Sequence, residues 1–99
     1  MDRRKEQAEI ISQVMLTDGI FSMWLKTEAS HTAKPGQFIS MYTNDGSKLL
    51  PRPISICEID SVKGQLRVVY RVTGENTGTE QFSRMQSGDT LSIIGPLGN

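Results

Sequence analysis

Gln65-Leu66-Arg67-Val68-Val69-Tyr70-Arg71-Val72 decides the fold class. Its apolar residues recur at every second position: Leu66, Val68, Tyr70 and Val72 share one face, and Arg67, Val69 and Arg71 share the other. A period of two marks a strand with one buried face, because successive side chains of extended backbone point to opposite sides. Outward from this stretch, the same reading gives strands over Ala8 to Leu16, Ile20 to Lys26, Gln37 to Thr43, Arg52 to Glu58 and Thr90 to Ile94. Turn formers separate them: Thr17-Asp18-Gly19, Lys34-Pro35-Gly36, Asn44-Asp45-Gly46 and Val62-Lys63-Gly64. Only Thr77-Gly78-Thr79-Glu80 breaks the pattern. It reads as a capping box followed by Phe82 and Met85 at i, i+3 spacing, with Gly88 as a C-terminal stop. The prediction is one domain over residues 1–99: an all-β, six-stranded antiparallel Greek-key barrel with a short capping helix over Thr79 to Gln86.

Composition narrows the function classes. Lys+Arg and Asp+Glu number eleven each, so the chain lacks the basic excess that phosphate-neutralising nucleic-acid binders carry. The charged start Met1-Asp2-Arg3-Arg4-Lys5 is not followed by the apolar core of a signal peptide. No apolar run approaches the roughly 20 residues that span a bilayer. A single cysteine, Cys57, can make no internal disulfide and cannot alone hold a metal cluster. These features suit a cytoplasmic protein that binds neither nucleic acid nor membrane.

Catalytic constellations are missing. His31, the only histidine, lies in the polar loop Ala29-Ser30-His31-Thr32-Ala33 without partners for base or metal chemistry. Cys57 reads as a small buried hydrophobe. Three other segments carry more. Pro51-Arg52-Pro53-Ile54-Ser55-Ile56 is a strand held extended by two prolines and partly excluded from ladder pairing. Period two puts Arg52, Ile54 and Ile56 on one side and Ser55 on the other; the arginine offers a rigid fork for a phosphate, and the serine three residues on offers a small hydroxyl. Tyr70-Arg71-Val72-Thr73-Gly74-Glu75-Asn76-Thr77-Gly78-Thr79 runs from strand through a Gly-rich turn into a helix start, where unpaired N–H groups can meet an anion. No lysine follows Gly78, so this is not a nucleoside-triphosphate loop. Gly95-Pro96-Leu97-Gly98-Asn99 reads as a sharp exit turn in which the chain stops mid-motif, as a longer protein would. Taken singly, the first segment is better explained by an edge strand with a solvated arginine, and the second by an ordinary capped helix.

In this order and spacing, Pro35-Gly36-Gln37-Phe38, Arg52-Pro53-Ile54-Ser55, Tyr70-Arg71-Val72, Gly78-Thr79 and Gly95-Pro96-Leu97-Gly98-Asn99 resemble the flavin domain of the ferredoxin–NADP reductase superfamily. The Arg-Pro-Ile-Ser form and the Gly-Pro-Leu-Gly-Asn run are most similar to the electron-transfer subunits of bacterial dihydroorotate dehydrogenases. The resemblance implies FAD as cofactor, with Arg52 on its pyrophosphate and Ser55 near the redox-active nitrogen. It places Pro53 and Ile54 along the isoalloxazine, Ile54 standing where many relatives carry an aromatic residue. It also implies Val69, Tyr70 and Arg71 lining the cofactor, and Gly78 and Thr79 meeting its phosphates. Since Val69 and Arg71 share a face, Tyr70 is expected to reach flavin only through its backbone, or to pack in the core. For the full subunit the resemblance implies an NAD domain, a [2Fe–2S] cluster and an FMN-containing catalytic subunit that oxidises dihydroorotate in pyrimidine biosynthesis. The 99 residues alone are expected to be inactive and to self-associate through an apolar patch around Ile54 and Leu97. The alternatives are the flavin subunit of another NAD(P)H-linked reductase, of ferredoxin–NADP transhydrogenase or sulfide dehydrogenase type, and a non-redox β-barrel binding module.

Overall fold

The computed structural model describes residues 5–43, 51–74 and 77–98. Six strands form: β1 (Glu6–Thr17), β2 (Ile20–Lys26), β3 (Phe38–Tyr42), β4 (Arg52–Asp60), β5 (Gln65–Arg71) and β6 (Thr90–Leu97). They close into a barrel in the order β1-β2-β5-β4-β3-β6, with every neighbouring pair antiparallel. A single 3-10 turn follows β2 (Glu28–His31), and one helix, α1 (Gly78–Ser83), lies between β5 and β6. The predicted fold class is the observed one. The turn read at Asn44-Asp45-Gly46 lies outside the described residues.

Alternation builds the core. Leu66, Val68 and Tyr70 of β5 turn inward, as period two requires, and meet Met23 and Leu25 of β2, Ile39 and Met41 of β3, and Leu91 and Ile93 of β6. Phe82 of α1 is fully buried and closes one end of the barrel. Its ring stands edge-on to Tyr70 at 6.3 Å between centroids, and Tyr70 stacks on Phe21 at 5.8 Å. Thr77 caps α1 as expected, its hydroxyl accepting the Glu80 N–H at 3.2 Å.

Four expectations are corrected. First, β6 does not turn out at Gly95 but runs on to Leu97, which pairs with Phe38. Gly95 allows this because a Cβ there would lie 2.7 Å from Ile39 Cγ2, so the strands cross more closely than any side chain permits. Second, α1 ends at Ser83 with Arg84 as its cap, short of Gln86, while Gly88 (φ +95°) turns the chain into β6 instead of stopping the helix. Third, Cys57 is exposed. It is the extra residue of a β-bulge, since Ile56 pairs with Val68 and Glu58 with the adjacent Arg67. Alternation from Ile54 and Ile56 already points Cys57 outward with Ser55, and the bulge shifts the phase by one so that Glu58 stays on the surface as well. Fourth, the exposed apolar residues are not Ile54 and Leu97. They are Val14, Met15 and Leu16 at the tip of the β1–β2 hairpin, together with Val62. β1 pairs with β6 only over Glu6–Glu9, so the far half of the hairpin extends past that neighbour.

Candidate functional site

A parted seam in the barrel wall brings the predicted residues together. β4 and β5 pair from Ile56–Val68 to Asp60–Gln65. Beyond that point Arg52 to Ser55 are paired on their β3 side, and Val69 to Arg71 on their β2 side. No ladder joins the two segments to each other among the described residues. The cause is local: Pro53 has no N–H to donate, and the bulge at Cys57 adds twist just where pairing stops. A slot between two strand edges results, with backbone donors and acceptors along both sides.

Strand phase sets which side chains face this slot from outside. Pro53 and Ser55 of β4 are exposed; on β5 Val69 is half-buried and Arg71 exposed. Arg52 is exposed at the rim, past the end of the core face that its phase shares with Ile54. Neither the Arg52 nor the Arg71 guanidinium has a hydrogen bond or ion pair among the described residues. Arg67, by contrast, is committed, donating to Ser22 Oγ at 2.7 Å and to Glu58 Oε1 at 3.0 Å. Two available guanidiniums on either side of a slot suit a ligand with a diphosphate, because each can give a charge-assisted pair of bonds.

Ile54 and Tyr70 face the other way. Ile54 is 8 % exposed with its side chain in the core, so it offers the slot its backbone. Tyr70 is buried, and its hydroxyl donates to Gln13 Oε1. Burial pushes the phenol well above the ordinary tyrosine range. Of the two readings the sequence left for Tyr70, core packing is the observed one.

At the start of α1, the Thr79 hydroxyl accepts the Thr73 N–H at 3.0 Å and lies 3.2 Å from the hydroxyls of Thr73 and Thr77. Thr79 is buried and pins the turn that leaves β5. Its side chain is therefore engaged within the protein, and what Gly78 and Thr79 present to an anion is backbone N–H. His31 lies on the surface, its Nε2 3.7 Å from Glu28 Oε2. Among the described residues no group of three or more His, Cys, Asp and Glu side chains could hold a metal, and no helix is long and apolar enough to cross a membrane.

Sequence reasoning missed two features. One is a cavity of about 540 Å³ at the opposite end of the barrel, lined by residues that include Glu6, Glu9, Lys26, His31 and Lys63. Its charges are mixed and come from three separate stretches of chain, so no motif announces it. The other is Gln13, which the strand pattern hides because a bulge at Ile11 changes the phase of β1 after Ile10.

Comparison with known proteins gives the family. The family model for the oxidoreductase FAD-binding domain matches residues 7–99. An electron transfer subunit of dihydroorotate dehydrogenase B (NAD(+)) from Enterococcus faecalis is 40% identical over 100 residues, covering 100% of this chain and 37% of the relative. The chain thus spans little more than a third of the length of the curated relatives it matches. Among solved structures, an NADH-dependent reduced ferredoxin–NADP oxidoreductase studied for flavin-based electron bifurcation superimposes with TM-score 0.81 at 28% identity, covering 93% of this chain and 33% of that one. A ferredoxin–NADP+ reductase from Neisseria gonorrhoeae, solved with bound FAD and NADP, gives TM-score 0.82 at 18% identity over 99% of this chain and 40% of that one, a likeness of fold.

Proposed function

Since the chain belongs to the oxidoreductase FAD-binding domain family, we propose that it holds FAD across the β4–β5 slot as the flavin-binding part of a dihydroorotate dehydrogenase electron-transfer subunit. The observation that carries this reading is the parted seam itself. The β4–β5 ladder stops short of Arg52 to Ser55 and Val69 to Arg71, and there the wall offers strand edges, a serine hydroxyl and two guanidiniums without a partner among the described residues. In this assignment Arg52 holds the pyrophosphate, with Arg71 flanking it from β5. Pro53, Ser55 and Val69 line the ring from outside, and Ile54 and Tyr70 contribute backbone. Gly78 and Thr79 give backbone N–H groups to phosphate, from a helix too short to rely on its dipole. When bound, FAD supplies hydride and single-electron chemistry; the protein supplies binding, orientation and electrostatics. NAD binding, a [2Fe–2S] cluster and docking to an FMN-containing catalytic subunit are assigned to the remaining length of the relatives and their partner. The 40% identity to the dihydroorotate subunit, against 28% to the bifurcating reductase, favours this reading over another NAD(P)H-linked subunit.

The test is titration with FAD, FMN and riboflavin, followed by flavin fluorescence. FAD is expected to bind more tightly than FMN, because two guanidiniums match a pyrophosphate better than one terminal phosphate. Arg52→Ala weakens FAD by roughly ten- to a hundredfold, since a hydrogen bond to a charged group is worth about 1.5–3 kcal/mol. Lys63→Ala, at the mouth of the cavity on the other end, leaves FAD affinity unchanged. Equal losses at both positions, or no flavin binding at all, refute the assignment.

A further inference from the structure

We propose that Gln13 is a positioning residue for the β5 edge of this slot, anchoring Tyr70 from inside the barrel and tying it to the C-terminal turn of α1. The inference rests on the flavin reading above for its consequence, but not for its geometry.

Gln13 lies beyond the β1 bulge, opposite fully buried Met23, and so faces the barrel interior. Its amide nitrogen donates to Phe82 O at 3.0 Å and Met85 O at 2.9 Å, while its amide oxygen accepts the Tyr70 hydroxyl. Both carbonyls can only accept, so this orientation of the amide is the one the partners allow. One side chain thereby links three elements. It gives Phe82 O a further donor beside the Met85 N–H, and it gives Met85 O, just past the end of α1, a side-chain donor. It also fixes the phenol of the residue between Val69 and Arg71, the two β5 side chains that face the slot. With the Tyr70 ring held by Gln13 at its hydroxyl, by Phe21 on one face and by Phe82 at its edge, the strand cannot rotate without breaking a buried polar contact. Leaving such a group unpaired in the interior costs more than the bond itself gains. The site therefore depends on a residue on the far side of the strand that lines it.

Three variants test this: Gln13→Leu, Tyr70→Phe and Gln13→Glu, each with the Gln13→Leu/Tyr70→Phe double. Both single losses are expected to weaken FAD by roughly three- to tenfold, the worth of one neutral hydrogen bond. Because they remove the same link, the double is no weaker than the worse single. Gln13→Glu carries a diagnostic that a space-filling role would not show. Ionised, it sets a carboxylate against two carbonyl oxygens and raises its own pKa; protonated, it can again donate to one of them and accept from Tyr70. FAD affinity of Gln13→Glu is therefore expected to recover as pH falls from about 8 towards 5.5, with the unmodified protein flat over that range. Additive losses in the double, or a flat pH profile for Gln13→Glu, overturn the proposal.

Hydrogen exchange without flavin provides the independent arm. In Gln13→Leu the amides of α1 and of Val69 to Arg71 exchange faster, while those of β3 do not change. Unaltered exchange at α1 and β5 overturns the positioning role whatever the flavin result. Faster exchange in a protein that binds no flavin sinks the flavin reading alone.

Discussion

Gly95→Ala examines the crossing of β3 and β6, which sets where the strand next to the slot lies. At Gly95 φ is +158°, a backbone conformation that L side chains rarely adopt, so alanine meets a backbone cost in addition to the packing one. The added Cβ would lie 2.7 Å from Ile39 Cγ2 and 3.3 Å from both Ile39 Cα and Cβ. Ordinary carbon contacts are about 3.5–4.0 Å, so something must move by most of an ångström. Rotating Ile39 relieves only the first contact, because the other two involve atoms fixed to the backbone. The backbone cannot recede either: β3 is paired on one side to β4, with Ile39 opposite Ile54, and on the other to β6. Overpacking of this kind costs about 1–3 kcal/mol, and holding alanine in a sparsely populated backbone region costs about 1–3 kcal/mol more. The sum is a destabilisation of about 2–6 kcal/mol, or a Tm lower by roughly 10 °C or more for a domain this size. Urea denaturation gives the value directly, with an unchanged m showing that the unfolded state is not the cause. A double-mutant cycle with Ile39→Ala identifies the contact: losing Ile39 should cost about 1 kcal/mol less in the Gly95→Ala background. Gly36→Ala is the contrast, because nothing lies within 4 Å and its cost comes only from φ +92°, so Ile39→Ala should add to it fully. A neutral or stabilising Gly95→Ala, or strict additivity with Ile39→Ala, refutes the close-crossing argument.

Further outcomes follow from the same structure. Ser55→Ala should keep FAD bound, because one neutral hydrogen bond is worth about 0.5–1.5 kcal/mol, yet shift the flavin midpoint potential; an unchanged potential and hydride-transfer rate remove Ser55 from the redox-active edge. Tyr70 ties stability to alkaline pH. Its folded pKa is raised, so stability is full below the unfolded tyrosine value of about 10 and falls as pH rises through and above it. Tyr70→Phe should flatten that decline, and a decline of the same steepness in the variant places its origin elsewhere. Saturated with FAD, the 99-residue chain should oxidise NADH no faster than free FAD does, since hydride transfer needs the nicotinamide held at about 3–3.5 Å by a second wall. Steady turnover would show that the barrel carries its own nicotinamide site.

Period two was enough to read the barrel, and the bounds of β2 came out residue for residue as Ile20–Lys26. Binary alternation repeated between turn formers is a global signal, and each strand that obeys it supports the others. Thr77 was equally legible as a cap, because capping chemistry is local to four residues. The slot was half legible. Two prolines announced a strand that would leave its ladder, but the partner edge on β5 looks like any other strand and becomes a wall only through what β4 fails to do.

The misreadings share one physical cause. Gln13 was assigned to nothing and sits just past an extra residue in a strand, as Glu58 does past Cys57. Gly95-Pro96 was read as an exit, yet there β6 carries one residue more than β3 between paired positions, Phe38–Leu97 and Ser40–Ile94. A bulge leaves composition untouched and moves every later side chain to the opposite face, so alternation counted along the sequence goes out of register without any residue looking wrong. The same three irregularities make the site. The one at Cys57 ends the β4–β5 ladder and opens the slot. The one at Ile11 turns a glutamine inward to hold Tyr70. The one at Gly95 lets β6 cross against Ile39, whose neighbour Phe38 pairs with Ser55. The fold is thus readable from the rule, and the function arises where the rule is broken, by single inserted residues that only the paired registers reveal.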